Sequence, residues 1–135
     1  MDFGDKWNSV IFSDEKKFNL NGPDNGQYYW YDTRKDKESF FMRQSGGGSV
    51  MIFAAFSSMG KSEIAFLSGR VCSNKYISIM EGYFKPFASQ FHGIDFVYQQ
   101  DNTSIHVSQV SRRYFSKENI RLLPWPARSP DLNPI

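Results

Sequence analysis

One cysteine, Cys72, is all the thiol chemistry in this 135-residue chain. A lone thiol excludes an internal disulfide and a cysteine-rich zinc site, and the reducing interior of a cell is the expected setting. Long apolar runs are missing too. None approaches the roughly 20 residues that a membrane-spanning helix needs, so no membrane partner is expected. No positively charged leader with an apolar core precedes the first strand; Met1-Asp2-Phe3-Gly4-Asp5 opens almost directly onto folded sequence, as expected of a domain from a longer protein. Lys and Arg number 16 against 14 Asp and Glu, and the resulting +2 is too weak a field to argue for a nucleic-acid partner unless basic residues cluster locally. Gly46-Gly47-Gly48 lacks the Lys-Ser/Thr that completes a phosphate-cradling loop, and no histidine-rich or nucleophile-elbow motif occurs. With 40% hydrophobic residues the chain can bury one core, and one domain is expected.

What is present is concentrated in two apolar runs that each close on an aspartate: Ser9-Val10-Ile11-Phe12-Ser13-Asp14, and Asp95-Phe96-Val97-Tyr98-Gln99-Gln100-Asp101. As neighbouring parallel strands of a buried sheet they would bring both carboxylates to one edge, where open α/β sheets bind their ligands. Paired acids there suit a divalent cation, because Mg²⁺ takes oxygen ligands from one or two carboxylates and from substrate phosphates.

The rest of the chain fits around these runs. A first strand is expected from about 8 to 14, continuing through Lys17-Phe18-Asn19-Leu20 into a turn at 21–26. Tyr28-Tyr29-Trp30-Tyr31 reads as a short aromatic strand, and 32–48 as a polar, charge-alternating excursion. Ser49 to Phe56 returns as a buried strand that turns at 59–62 into Glu63-Ile64-Ala65-Phe66-Leu67, a β-hairpin. Tyr76, Ile77, Met80, Tyr83, Phe84, Phe87 and Phe91 recur at three- and four-residue steps and predict an amphipathic helix over 73–91, the crossover that a parallel strand pair requires. A second helix is expected from Ser104 or His106 to Lys117, and a last strand from Ile120 to Leu123.

Several charged residues have a bland reading beside a functional one. Asp14 and Asp101 could be a solvated strand end and a turn or cap residue. Glu15 alternates to the strand face opposite Asp14 and is read as no ligand. His92 ends a helix, where a cation is favoured, and is given no function. Asp131 sits in a proline-bounded turn and is read as stabilising that turn, with Asn133 capping the next helix and Pro134 at its first position. Arg34, Lys35, Lys37 and Arg43 could touch phosphates or form a solvated hairpin with Asp32, Asp36 and Glu38. Arg112 and Arg113 lie on a helical basic patch; Lys16, Lys17 and Arg128 fall near the acidic edge, and all five are candidates for DNA phosphate contact.

Taken together, Phe12-Ser13-Asp14-Glu15-Lys16-Lys17-Phe18, Gln99-Gln100-Asp101-Asn102, Leu123-Pro124-Trp125-Pro126 and Ser129-Pro130-Asp131-Leu132-Asn133-Pro134-Ile135 closely resemble the catalytic domain of mariner-like DDE transposases, in the branch whose third acid is glutamate. The resemblance covers nearly the whole chain. It implies an α/β, ribonuclease-H-like mixed sheet flanked by helices, matching the order three strands, helix, strand, helix, strand. It implies Asp14 and Asp101 as catalytic metal ligands, with Asn102 and His106 as candidates to support them. It places the third acid immediately after Ile135, so the C-terminal helix that acid opens is expected to be lacking and this stretch alone inactive. It further implies a clamp-like insertion at about 31–48, a DNA-binding domain upstream, and Mg²⁺ or Mn²⁺ as cofactor with two ions in the complete site. The implied activity is cut-and-paste transposition: cleavage at inverted-repeat ends and joining to a TA target, by a homodimer in the nucleus. Two alternatives stay open, a nuclease of the same fold without strand transfer, and a non-catalytic domesticated module that binds DNA or assembles.

Overall fold

The structure is a computed structural model and describes residues 4–20, 33–34, 47–126 and 129–135. After a 3-10 turn at Gly4–Ser9, strand β1 runs Val10–Asn19, longer than the sequence suggests. The extension has a physical cause: β2, Ser49–Ser57, pairs antiparallel with β1 from Phe12↔Phe56 to Asn19↔Ser49 and carries the strand past Asp14. The Leu20 N–H donates to the Gly48 carbonyl at 2.8 Å and closes the ladder there. The expected aromatic strand at 28–31 and most of the 32–48 excursion lie outside the described residues.

The hairpin is present in two pieces. β3, Gly60–Lys61, and β4, Ala65–Leu67, both pair antiparallel with β2. Between them Ser62 turns inward, where its hydroxyl accepts the Ala55 N–H at 2.9 Å in place of a ladder bond. β5, Val97–Gln99, pairs parallel with β1, and β6, Arg121–Leu122, pairs parallel with β5. The sheet order is β3-β2-β1-β5-β6, with β4 also on β2. This mixed order is the expected ribonuclease-H-like arrangement.

The expected crossover helix spans the expected residues but is not uniform. It comprises α1 (Ser73–Ile79), a π-helical turn (Met80–Phe84) and α2 (Lys85–Phe91). Pro86 explains the interruption, since a proline inside a helix has no N–H for the carbonyl four residues back and its ring crowds that carbonyl. α2 stops at His92, and Gly93 follows with φ +61°, a left-handed residue that ends helices. α3 is Gln109–Lys117, shorter than expected, because Ser108 caps it by accepting the Ser111 N–H at 3.2 Å. His106 therefore lies in the turn before α3 and not in its first turn.

One face of the helical segment and one face of the sheet make the core. Tyr76, Ile79, Met80, Phe84, Phe87 and Ala88 are buried against Ile11, Phe53, Ala55, Tyr98, Tyr114 and Phe115. Phe84 sits at its centre, fully buried with its ring 4.4 Å from Tyr98 and 5.7 Å from Phe96. A hydrogen-bond chain crosses this core: Ser13 Oγ donates to Tyr98 OH at 2.7 Å, the Tyr98 and Tyr76 hydroxyls are 3.0 Å apart, and Tyr76 OH donates to Gln100 Oε1 at 2.7 Å. The chain satisfies each phenol in turn, which buried hydroxyls require.

These contacts set the first test. Phe84→Ala should cost about 3–5 kcal/mol through the cavity it opens. Tyr76→Phe should cost about 1–3 kcal/mol, because it strands a buried acceptor on Gln100 without changing volume. Urea unfolding of both variants, read for midpoint at constant slope, measures each loss; equal costs would contradict the distinct roles.

Candidate active site

The parallel register positions the two acids. Phe12 pairs with Gln99, and two residues further along each strand stand Asp14 and Asp101. At this level the strands part. β5 ends at Gln99 and Asp101 begins an irregular stretch, whereas Asp14 remains inside β1, opposite Ala54 of β2. The expectation of two strand-end acids thus holds for β5 and is corrected for β1. The carboxylates feel one another: partial burial raises the Asp14 pKa, the Glu15 N–H bond to its Oδ1 at 2.9 Å opposes this, and the charges of Glu15 and Asp101 raise it again.

Asp101 is held the other way. Burial would raise its pKa, but His106 and the Thr103 N–H, 3.2 Å from Oδ1, bring it below the ordinary value. His106 Nδ1 lies 2.5 Å from Asp101 Oδ1, and Nε2 lies 3.0 Å from Glu15 Oε1. The imidazole is buried, and its ring centroid stands 4.3 Å from that of Tyr76. Desolvation disfavours its charged form, yet the hydrogen bonds and charges of the two carboxylates prevail and push its pKa up to about 10. Protonated on both nitrogens, the ring would donate from Nε2 to Glu15 and from Nδ1 to Asp101, whose carbonyl oxygen also lies 3.2 Å from Nδ1.

Strand alternation sets Glu15 apart from Asp14, as expected, and the expectation that it is no ligand did not foresee its contact with His106. It does alternate away from Asp14, but that face is where His106 lies, and its carboxylate joins the charged cluster. A bond between residues 15 and 106 leaves no local pattern in the sequence; the only signal for it is adjacency to Asp14.

The donor set can be weighed for a cation. Atoms of Glu15, Asp101 and His106 lie within 4.8 Å of one another, close enough for a metal ion. A ring protonated on both nitrogens has no lone pair to offer, and its charge would offset those of the two carboxylates it bridges. Asp14 is not among these three residues; its carboxylate and that of Asp101 are oxygen donors of the kind a hard divalent ion takes, and the Asp101 charge raises the Asp14 pKa. Asp101 has the exposure this needs, at 43%.

The remaining candidates spread around this centre. Asn102 donates from Nδ2 to the Trp125 carbonyl at 2.7 Å and ties the Asp101 loop to the segment after β6. Lys16 and Lys17 are exposed on β1, Arg112 and Arg113 on α3. Arg112 lines a groove of about 390 Å³ with Gln100, Asn102, His106 and Trp125. Arg34 is in a described turn, while Lys35, Lys37, Arg43 and Arg128 lie outside the described residues. Asp131 is exposed in a 3-10 turn, Pro130–Leu132, as a turn residue should be. Asn133 Oδ1 accepts the Ile135 N–H at 3.2 Å, the expected capping bond, while its Nδ2 donates to the Ser13 carbonyl at 3.2 Å. The C-terminal residues are thereby fixed beside β1, one residue before Asp14.

Comparison with known proteins gives a consistent picture. The family model described as DDE superfamily endonuclease matches residues 9–135. The chain is 49% identical over 132 residues to the transposable element Tc3 transposase of Caenorhabditis elegans, covering 98% of this chain and 40% of that protein. It thus spans less than half the length of this relative. Among solved structures, the Mos1 strand transfer complex superposes with a TM-score of 0.77 at 21% identity, over 97% of this chain and 39% of that one. The mariner Mos1 paired end complex with Mg does so at 0.77 and 20%, over 93% and 38%. These likenesses show a shared fold.

The charged cluster makes a pH prediction. Below about 6.5 His106 is protonated folded or unfolded, and its ion pairs contribute in full. As pH rises from there to about 10, the unfolded chain releases the proton that the folded chain keeps, so the contribution shrinks and is lost above that value. The stability difference between the wild type and His106→Gln, from denaturant unfolding across this window, should fall steadily with pH. A pH-independent difference would show that the bridge carries no charge.

Proposed function

The chain belongs to the DDE superfamily of endonucleases, and from that premise we propose that it is the catalytic core of a cut-and-paste DNA transposase, with Asp14 and Asp101 as two of its metal-holding acids. The observation that carries this reading is the in-register pairing of β1 with β5, which presents both acids at one level where β5 ends. Similarity to the Tc3 transposase supports the activity, and the Mos1 complex with Mg supports a divalent cation.

In this reading Asp14 and Asp101 would hold Mg²⁺ or Mn²⁺, two ions in the complete site, which when bound would supply charge stabilisation for in-line displacement at phosphorus. The chain's own residues prepare the place. His106 and Thr103 lower the pKa of Asp101 and favour its ionised form. Asp14 contributes a carboxylate whose charge is poorly tolerated until a cation arrives. Lys16, Lys17, Arg112 and Arg113 are exposed cations for DNA phosphates, and Arg34, Lys35, Lys37, Arg43 and Arg128 are further candidates by their place in the sequence. The substrates are inverted-repeat ends and a TA target, the working unit is a homodimer, and the compartment is the nucleus.

In the full-length protein, Asp14→Ala and Asp101→Ala should each lower both cleavage and joining by at least about 10²-fold while leaving the melting temperature within a few degrees. Asp131→Asn should keep substantial activity. Normal cleavage by either alanine variant would overturn the assignment, and cleavage without joining by the wild type would make the protein a nuclease.

A further inference from the structure

Glu15 has no task in the chemistry just described, yet it is built into the site. It sits inside β1, paired with Phe53 of β2, so its backbone is fixed by the sheet. Asp101 is placed differently, in a stretch from 100 to 108 with neither strand nor helix. The two are joined by one imidazole. Glu15 Oε1 is 3.0 Å from His106 Nε2, and Nδ1, across the ring, is 2.5 Å from Asp101 Oδ1. The ring is 5% exposed and packs on Tyr76, while the His106 N–H donates to the Thr103 carbonyl at 3.0 Å. Because the ring is rigid, anchoring one nitrogen aims the other.

We propose that Glu15 is a positioning residue that acts on Asp101 through His106: it anchors Nε2 so that Nδ1, 2.5 Å from Oδ1 and 3.2 Å from the carbonyl oxygen of Asp101, holds that residue in place. This rests on the reading of Asp101 as a metal-holding acid. Partners that orient ligating groups in this way matter to affinity and rate even though they touch neither metal nor substrate. The rival arrangement uses the same atoms, with Glu15, Asp101 and His106 as direct ligands of a cation.

The two differ in how variants combine. In the full-length protein, Glu15→Ala should lower kcat for end cleavage about 10–100-fold with KM for DNA unchanged. Glu15→Gln should recover most of that loss, because an amide oxygen still accepts from Nε2–H. In a His106→Gln background, or His106→Asn should that variant fold better, Glu15→Ala should cause no further loss of kcat or of Mn²⁺ affinity, the latter measured by electron paramagnetic resonance without DNA. Losses that multiply in the double variant, or a Glu15→Gln as impaired as Glu15→Ala, would make Glu15 a direct ligand and overturn the proposal. So would a Glu15→Ala of lower melting temperature but unchanged kcat and Mn²⁺ affinity. Asp101→Ala separates the two readings: its normal activity sinks the assigned site, whereas its inactivity beside a fully active Glu15→Ala sinks only the role of Glu15.

Discussion

Parallel pairing of Val10, Ile11 and Phe12 with Val97, Tyr98 and Gln99 is the constraint from which the site follows. A parallel ladder needs a long crossover, and the helical segment 73–91 supplies it while covering one face of the sheet. Pairing fixes the register, and the register sets Asp14 and Asp101 at one level, each two residues beyond the Phe12–Gln99 pair. A shift of one residue would turn Ile11 and Ser13 away from the core side chains they meet and bring Asp14 toward them. The core contacts of Ile11 and the Ser13 hydroxyl bond to Tyr98 therefore protect the geometry of the site as well as the stability of the fold.

Electrostatics divide the two acids. Asp101 gains a buried cation in His106, so its ionised form is favoured without any metal. Asp14 lacks such a partner among the described residues and is raised by burial and by negative neighbours. Burying the His106 charge would be costly if it stood alone, but carboxylates on both ring nitrogens offset that cost. The ionised form is thus favoured in one acid and disfavoured in the other.

Local departures from regular structure serve the same end. Met80 and Phe84, at the two ends of the π-helical turn, are both fully buried within one continuous helical segment. Where α3 gives up its first turn to the Ser108 cap, the preceding turn can fold His106 inward over Tyr76. A helix starting at Ser104 would have committed the backbone of His106 to a regular ladder.

Much of this was legible in the sequence. Apolar runs closing on Asp14 and Asp101 marked the paired strands, since a strand buried on both faces reads as continuous apolar sequence. The three- and four-residue spacing from Tyr76 to Phe91 marked the helix, because one face had to meet the sheet. Asn133 marked a cap because its side chain bonds to backbone only two residues away. These are local patterns, in which each residue's neighbours in sequence carry the information. What only the tertiary structure decided depended on distant partners. β1 runs on past Asp14 because β2 continues to pair with it. Glu15 belongs to the site because alternation turns it toward the face across which His106 folds, a contact spanning 91 residues. Such pairings arise from how elements pack, and no periodicity within either segment encodes them.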